Sequence, residues 1–177
     1  MSGQMRLLLD KSVVRRYFEG ISALARDRSL TEEQRQAIIL VHLTPKRGDE
    51  LFIAQEAANL IRAHGHELAP GESLMLLRRV KVLYPGHYFK RWARRLHKRT
   101  FTREDAKVLA LGAFGTDADG KILGVHIVVT LDQAMLRKWD RDVQPIAEHL
   151  HKMVVNLQEP FSLAKLPRVQ LPEAVVG

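Results

Sequence analysis

Three aspartates in this chain stand where their carboxylates could work together. Asp10 closes the short apolar run MRLLLD, Asp105 lies three residues after Thr102 in FTREDAKVLALGAF, and Asp132 follows the β-branched stretch of HIVVTLDQAM. Carboxylates converging from separate strand ends form a hard-oxygen pocket suited to Mg2+ or Mn2+, which take oxygen ligands and retain several waters. Like charges a few ångströms apart repel and raise one another's pKa, so a divalent cation is the natural occupant of such a pocket. An ion held there readies water as a nucleophile and steadies the charge of an in-line phosphodiester displacement, which makes hydrolysis of a nucleic-acid backbone the implied reaction. Each acid also has a plainer use: Asp105 as partner to Thr102 at a helix start, Asp132 as a helix cap, Asp10 as a cap or strand-end turn residue. Capping alone does not require all three to share one edge of a sheet.

The elements that must position them read as an α/β alternation. Met5 to Asp10 is a first strand, followed by an amphipathic segment carrying Val13, Val14, Tyr17, Phe18, Ile21 and Leu24. Ser29 to Glu33 supplies a cap and acidic first turn for a helix through Ala37, Ile38, Leu40 and Val41, with a strand over Ala37 to Leu43 as the alternative. Leu51 to Ala54 reads as a second buried strand leading into a helix from Gln55 to His64 that stops at Gly65, and a right-handed crossover lays it beside the first. Pro70-Gly71 and Pro85-Gly86 bracket a helix in which Leu74, Leu77, Val80 and Tyr84 keep helical spacing. The helix opened by Thr102 presents Val108, Leu109, Leu111, Gly112 and Ala113. TDADGK then turns the chain, with Asp117, Asp119 and Gly120 as turn formers, not calcium ligands. Val125, Ile127, Val128 and Val129 form a strand covered on both sides, and Asp132 caps the helix holding Met135, Leu136 and Trp139. A further helix spans Asp142 to Met153, and Val154 to Leu157 reads as a last edge strand. The expected fold is a three-layer α/β/α sandwich over residues 1–159 with a central, mainly parallel sheet of four to five strands, followed by an extended tail over 160–177. Such sheets bind ligands beyond the carboxyl ends of their strands, where Asp10 and Asp132 fall.

A chain of 177 residues suits one domain with a sizeable core. No apolar run approaches the ~20 residues of a membrane span, and Met1 to Arg6 lacks the pattern of a secretion signal, so a cytoplasmic protein without a membrane partner is expected. The absence of cysteine excludes disulfides and thiolate metal sites. The formal charge of +8 is concentrated in one place, since Ser73 to Arg103 holds ten Lys or Arg and no Asp or Glu. Within it, HYFKRWARRLHKR sets Tyr88, Phe89, Trp92 and Leu96 on one helix face and Lys90, Arg91, Arg94, Arg95 and Lys98 on the other. Ordinary surface helices mix signs to gain side-chain pairing, so a run with no acid points to phosphate contact, with Arg94, Arg95, Lys98 and Arg99 leading. The aromatics read as core, not as a base-stacking platform.

LLLDKS, FTREDAKVLALGAF and HIVVTLDQAM resemble the PIN domain, the fold of the VapC-like toxin ribonucleases and of several RNA-processing nucleases. The resemblance covers roughly residues 5 to 157. It implies a Mg2+- or Mn2+-dependent endoribonuclease in which Asp10, Asp105 and Asp132 bind metal and Ser12 and Thr130 are supporting hydroxyls. It also implies RNA as substrate and extends to an antitoxin or other protein partner and to a homodimer. The family carries a further acid in the helix after the second strand. Matching LFIAQEAANLI to that pattern puts Leu60 at its place, with Glu56, one turn earlier on the same side, as the substitute in the catalytic set. A PIN-fold protein that binds RNA or a protein partner without cutting is the alternative.

Overall fold

Leu7, Leu8 and Leu9 are each at most 2% exposed, so the strand that holds them must be covered on both faces. In the computed structural model, which describes residues 3–68 and 70–177, that strand is β1 (Arg6–Leu9), at the middle of the sheet. It pairs in parallel with β2 (Glu50–Ala54) on one side and β5 (Ile127–Val129) on the other, with Leu8 opposite both Phe52 and Val128. Beyond β2 lies β3 (Val80–Pro85), also parallel, and beyond it the two-residue β4 (Gly115–Thr116), antiparallel. Beyond β5 lies the parallel edge strand β6 (Arg168–Gln170). The protein is therefore α/β with a mixed six-stranded sheet in the order β4-β3-β2-β1-β5-β6.

The period-two alternation of side chains divides the apolar residues between two cores. On one face Leu8, Phe52, Leu83, Val128 and Val169 meet the inward sides of α5 (Phe89–Lys98), α6 (Arg103–Phe114) and α7 (Gln133–Val154). On the other, Leu7, Leu9, Leu51, Ile53, Ile127 and Val129 meet α1 (Lys11–Ala25), α2 (Glu32–Lys46), α3 (Gln55–Leu68) and α4 (Pro70–Arg79). Each fully buried Leu or Ile contributes about 1.5–3 kcal/mol relative to exposure. Local signals agree with the packing: Thr31 and Gln34 form a reciprocal capping box that starts α2. Among the described residues no helix is long and apolar enough to cross a membrane.

Four expectations are corrected. The bracketed helix ends at Arg79, and Val80 to Pro85 forms a strand; β-branched Val80 and Val82 gain more from pairing beside β2 than from extending α4. α3 continues past Gly65 to Leu68. The two helical segments on either side of Asp140 are one helix of 22 residues with Pro145 inside it, and it ends at Val154, where an edge strand was expected. From Pro160 onward the chain returns to the body. Phe161 packs edge-on to Tyr88 at 5.1 Å, β6 is joined by Arg168 N donating to His126 O (2.9 Å) and Thr130 N to Gln170 O (3.0 Å), and α8 (Pro172–Val176) lies against α2 through Gln36 and Glu173. Gly112 permits this return, because a Cβ there would stand 2.5 Å from Pro167 Cγ.

Deleting residues 160–177 uncovers the Val169 side of the first core and should lower the melting temperature by on the order of 10 °C. A circular-dichroism melt that leaves the midpoint unchanged would return this segment to the status of a hanging tail.

Candidate active site at the carboxyl edge of the sheet

At the end of β1 the backbone continues its pairing by one residue, Asp10 N donating to Val129 O (2.9 Å), before α1 begins at Lys11. Asp10 is thus a strand-end residue whose side chain is left facing the neighbouring end of β5. Two hydroxyls meet it there: Ser12 Oγ and Thr130 Oγ1 each donate to Asp10 Oδ2 at 2.9 Å. A hydroxyl has one hydrogen to give, and both give it to the same carboxylate oxygen. Their oxygens in turn accept backbone N–H groups from the segment leaving β5, Ser12 from Leu131 (3.0 Å) and Thr130 from Asp132 (3.0 Å). Residues 118 to 120 apart in sequence are stapled into one network around a fully buried Thr130.

Asp132 caps α7, its Oδ1 accepting from Met135 N at 3.0 Å. Asp105 lies in the first turn of α6, where its N–H donates to the hydroxyl of Thr102, the N-cap, at 3.1 Å. Asp105 feels the other two acids. Burial raises the pKa of Asp105 above the ordinary carboxylate value, and the charges of Asp132 and Asp10 push it further the same way, against opposing effects from the Thr102 hydroxyl and Lys11. Each aspartate thus serves the plain use, ending or starting an element of the fold. Among the described residues no group of three or more His, Cys, Asp or Glu is arranged to hold a metal ion as it stands. One oxygen of Asp10 is committed to two hydroxyls and one of Asp132 to its cap.

Glu56 does not join this group. It opens α3, its side chain is 81% exposed, and Lys107 Nζ stands 3.6 Å from its Oε1. Leu60 faces solvent, at 62% exposure, and is not a lining of the site. A second cation, Lys11, bonds Glu104 in the first turn of α6. Sequence reasoning passed over Lys11 and Lys107, though each lies within two residues of an aspartate of the network; their acid partners are distant in sequence and only the fold supplies them.

The basic helix is α5, and its phase corrects the choice of contact residues. Trp92 and Leu96 are fully buried, and Arg95 and Arg99, at helical spacing from them, are half-buried with them. Arg95 Nη1 bonds His149 Nε2 on α7. Arginine only donates, so His149 accepts at Nε2 and carries its proton on Nδ1; burial first, then Arg95, Arg99 and Lys152, hold its pKa below the usual value. Lys90, Arg91, Arg94 and Lys98 are the exposed cations. Tyr88 and Phe89 pack against the first core.

No protein-family model matches this chain, and a search of curated proteins finds no match either.

The raised pKa of Asp105 means that the folded protein holds this proton more tightly than the unfolded chain. Stability is therefore lost as pH rises through the window between the two values, and is unaffected below the ordinary carboxylate range. Asp105→Asn removes that loss: its melting temperature at pH 7 should exceed that of the parent by roughly 1–2 °C, and the advantage should vanish as pH falls below about 4. A variant less stable than the parent at pH 7 would contradict the raised pKa of Asp105.

Proposed function

We propose that this chain is a Mg2+- or Mn2+-dependent endoribonuclease of PIN type. The observation that carries this reading is the pair of hydroxyls, Ser12 and Thr130, fixed on Asp10 at the sheet edge where Asp132 caps α7, with the charges of Asp132 and Asp10 both adding to the raised pKa of Asp105. Overcharged oxygen ligands in a half-buried cup are the chemistry of a hard divalent site, and the parallel arrangement of β3, β2, β1 and β5, with the acids at its carboxyl edge, fits the PIN resemblance. A cation bound there supplies charge neutralisation and a water more acidic than bulk. Asp10, Asp105 and Asp132 would hold it. Ser12 and Thr130 fix the direction of the Asp10 carboxylate, since rotation of that group would break both hydroxyl bonds. Lys90, Arg91, Arg94 and Lys98 take the RNA backbone, and the short link from Lys98 to Thr102 leads that surface directly to the start of α6. A toxin role follows from the same resemblance and requires an antitoxin that covers this edge.

The second reading is a PIN-fold protein that binds RNA without cutting it. Leu60 at the place of the family's further acid, and Glu56 exposed and paired with Lys107, favour it.

A cleavage assay on mixed RNA with and without Mn2+ separates the two. The nuclease reading expects Mn2+-stimulated cleavage that falls by about 100-fold or more in Asp132→Asn. Asparagine caps helices as well as aspartate does, so the melting temperature should stay within about 1–2 °C. RNA bound but left whole with every divalent cation selects the binder. On either reading, replacing Arg91 and Arg94 by Ala should make the salt dependence of RNA binding shallower by about 1.4 in log–log slope, two phosphate contacts on a single strand. An unchanged slope would make this face merely solvated.

A further inference from the structure

A cup lined by three carboxylates repels the polyanion it is proposed to cut, and the cations of α5 lie to one side of it. Two other lysines lie within two residues of these aspartates in the chain. Lys11 is the first residue of α1, next in the chain to Asp10, and Lys107 lies on α6, two residues past Asp105. Their side chains are 57% and 56% exposed, and each is tethered to an acid in the first turn of a different helix, Lys11 to Glu104 of α6 and Lys107 to Glu56 of α3. Both act on their surroundings electrostatically: Lys11 lowers the pKa of Asp105 and of Glu104, and Lys107 also lowers that of Glu104.

We infer that Lys11 and Lys107 are phosphate-binding positions for the RNA strand at the mouth of the aspartate cup, held ready in the free protein by Glu104 and Glu56. This rests on the reading of the chain as an RNA-binding PIN-type protein. Exposed lysine–carboxylate pairs add little to stability, so exchanging the carboxylate for a phosphodiester costs little, and the phosphodiester offers the same anionic acceptors. The two tethers also explain why lysines one step from a cluster of aspartates do not fold onto it and quench it: each is drawn outward by an acid of its own. Glu56 has a use here that its exposure denies it in the metal site, as the holder of Lys107. Cations from α1 and α6 reach the strand from two separate elements, which fixes its position more closely than a single basic helix does.

The test uses the full chain with Lys11→Ala, Lys107→Ala, their double variant, Glu56→Gln and Glu104→Gln. Lys81→Ala is the control for loss of one surface cation away from this edge, because Lys81 pairs with Glu50 at the opposite, amino end of β2. For cleavage of a single-stranded RNA, the double variant should raise KM by about tenfold or more with kcat changed far less, and each Glu→Gln variant should lower KM, since it frees its lysine. Fluorescence anisotropy with the same RNA gives an independent readout that needs no cleavage. There the double variant should make the salt slope shallower by about 1.4 and Lys81→Ala should leave it unchanged. Inorganic phosphate at matched ionic strength should not displace the RNA, which separates binding of the strand from binding of a free anion. Absence of RNA cleavage by the parent chain defeats the nuclease reading alone, and the anisotropy arm still decides the lysines. The inference is overturned if the double variant matches Lys81→Ala in KM and slope, if the Glu→Gln variants bind more weakly than the parent, or if the parent binds no RNA.

Discussion

Two hydroxyl hydrogens converge on a single oxygen of Asp10, and much of the architecture follows from what is needed to bring them there. Ser12 comes with Asp10 on the turn from β1 into α1, but Thr130 arrives from the end of β5, so the bonds exist only if those two strands are neighbours in the same direction. Parallel neighbours cannot be joined by a short turn, and the chain between them makes six helices, the parallel strands β2 and β3 and the short β4 before returning. The burial of β1 on both faces makes this arrangement stable, and the hydroxyl network fixes its register at the functional edge. A slip of one residue would exchange the two cores and separate Asp10 from Thr130 together.

The same edge concentrates charge that folding alone would not favour. Helices α3, α6 and α7 begin there, and helix starts attract acids, which accounts for Glu56, Glu104, Asp105 and Asp132 individually. It does not account for the charge effect of Asp132 and Asp10 on Asp105, because capping is satisfied by each helix on its own. Lys11 and Lys107 offset part of this charge through their pairs with Glu104 and Glu56. The basic surface of α5 is set by the same logic of phase: Trp92 and Leu96 anchor the helix in the first core, and the cations that do not share their face are the ones left to solvent.

The placement of Asp10 and Asp132 was legible in the sequence because each directly follows a short, strongly apolar strand, and a parallel sheet aligns such ends. β3 was not legible. Leu74, Leu77, Val80 and Tyr84 keep a helical period straight across the junction at Arg79, and only the presence of β2 alongside makes the extended form of VKVLYP the better one. β6 is three residues between two prolines, too short for any alternation to register, and it becomes a strand because β5 offers an open edge. Arg95 and Arg99 were grouped with the outward cations by their type; their spacing from Trp92 and Leu96 carried the truer signal, since side chains three and four apart share a face. The Lys11–Glu104 and Lys107–Glu56 pairs join residues whose separation in sequence leaves no local trace.

The central claim is that three separated aspartates act as one negatively charged site that a divalent cation relieves. Mn2+ titration followed by electron paramagnetic resonance, on the parent chain and on Asp10→Asn, tests it most directly, because it needs neither RNA nor turnover. The account predicts saturable Mn2+ binding at this site in the parent, weakened by about tenfold or more in the variant. Equal binding by the two proteins, or none that saturates in the parent, would contradict it.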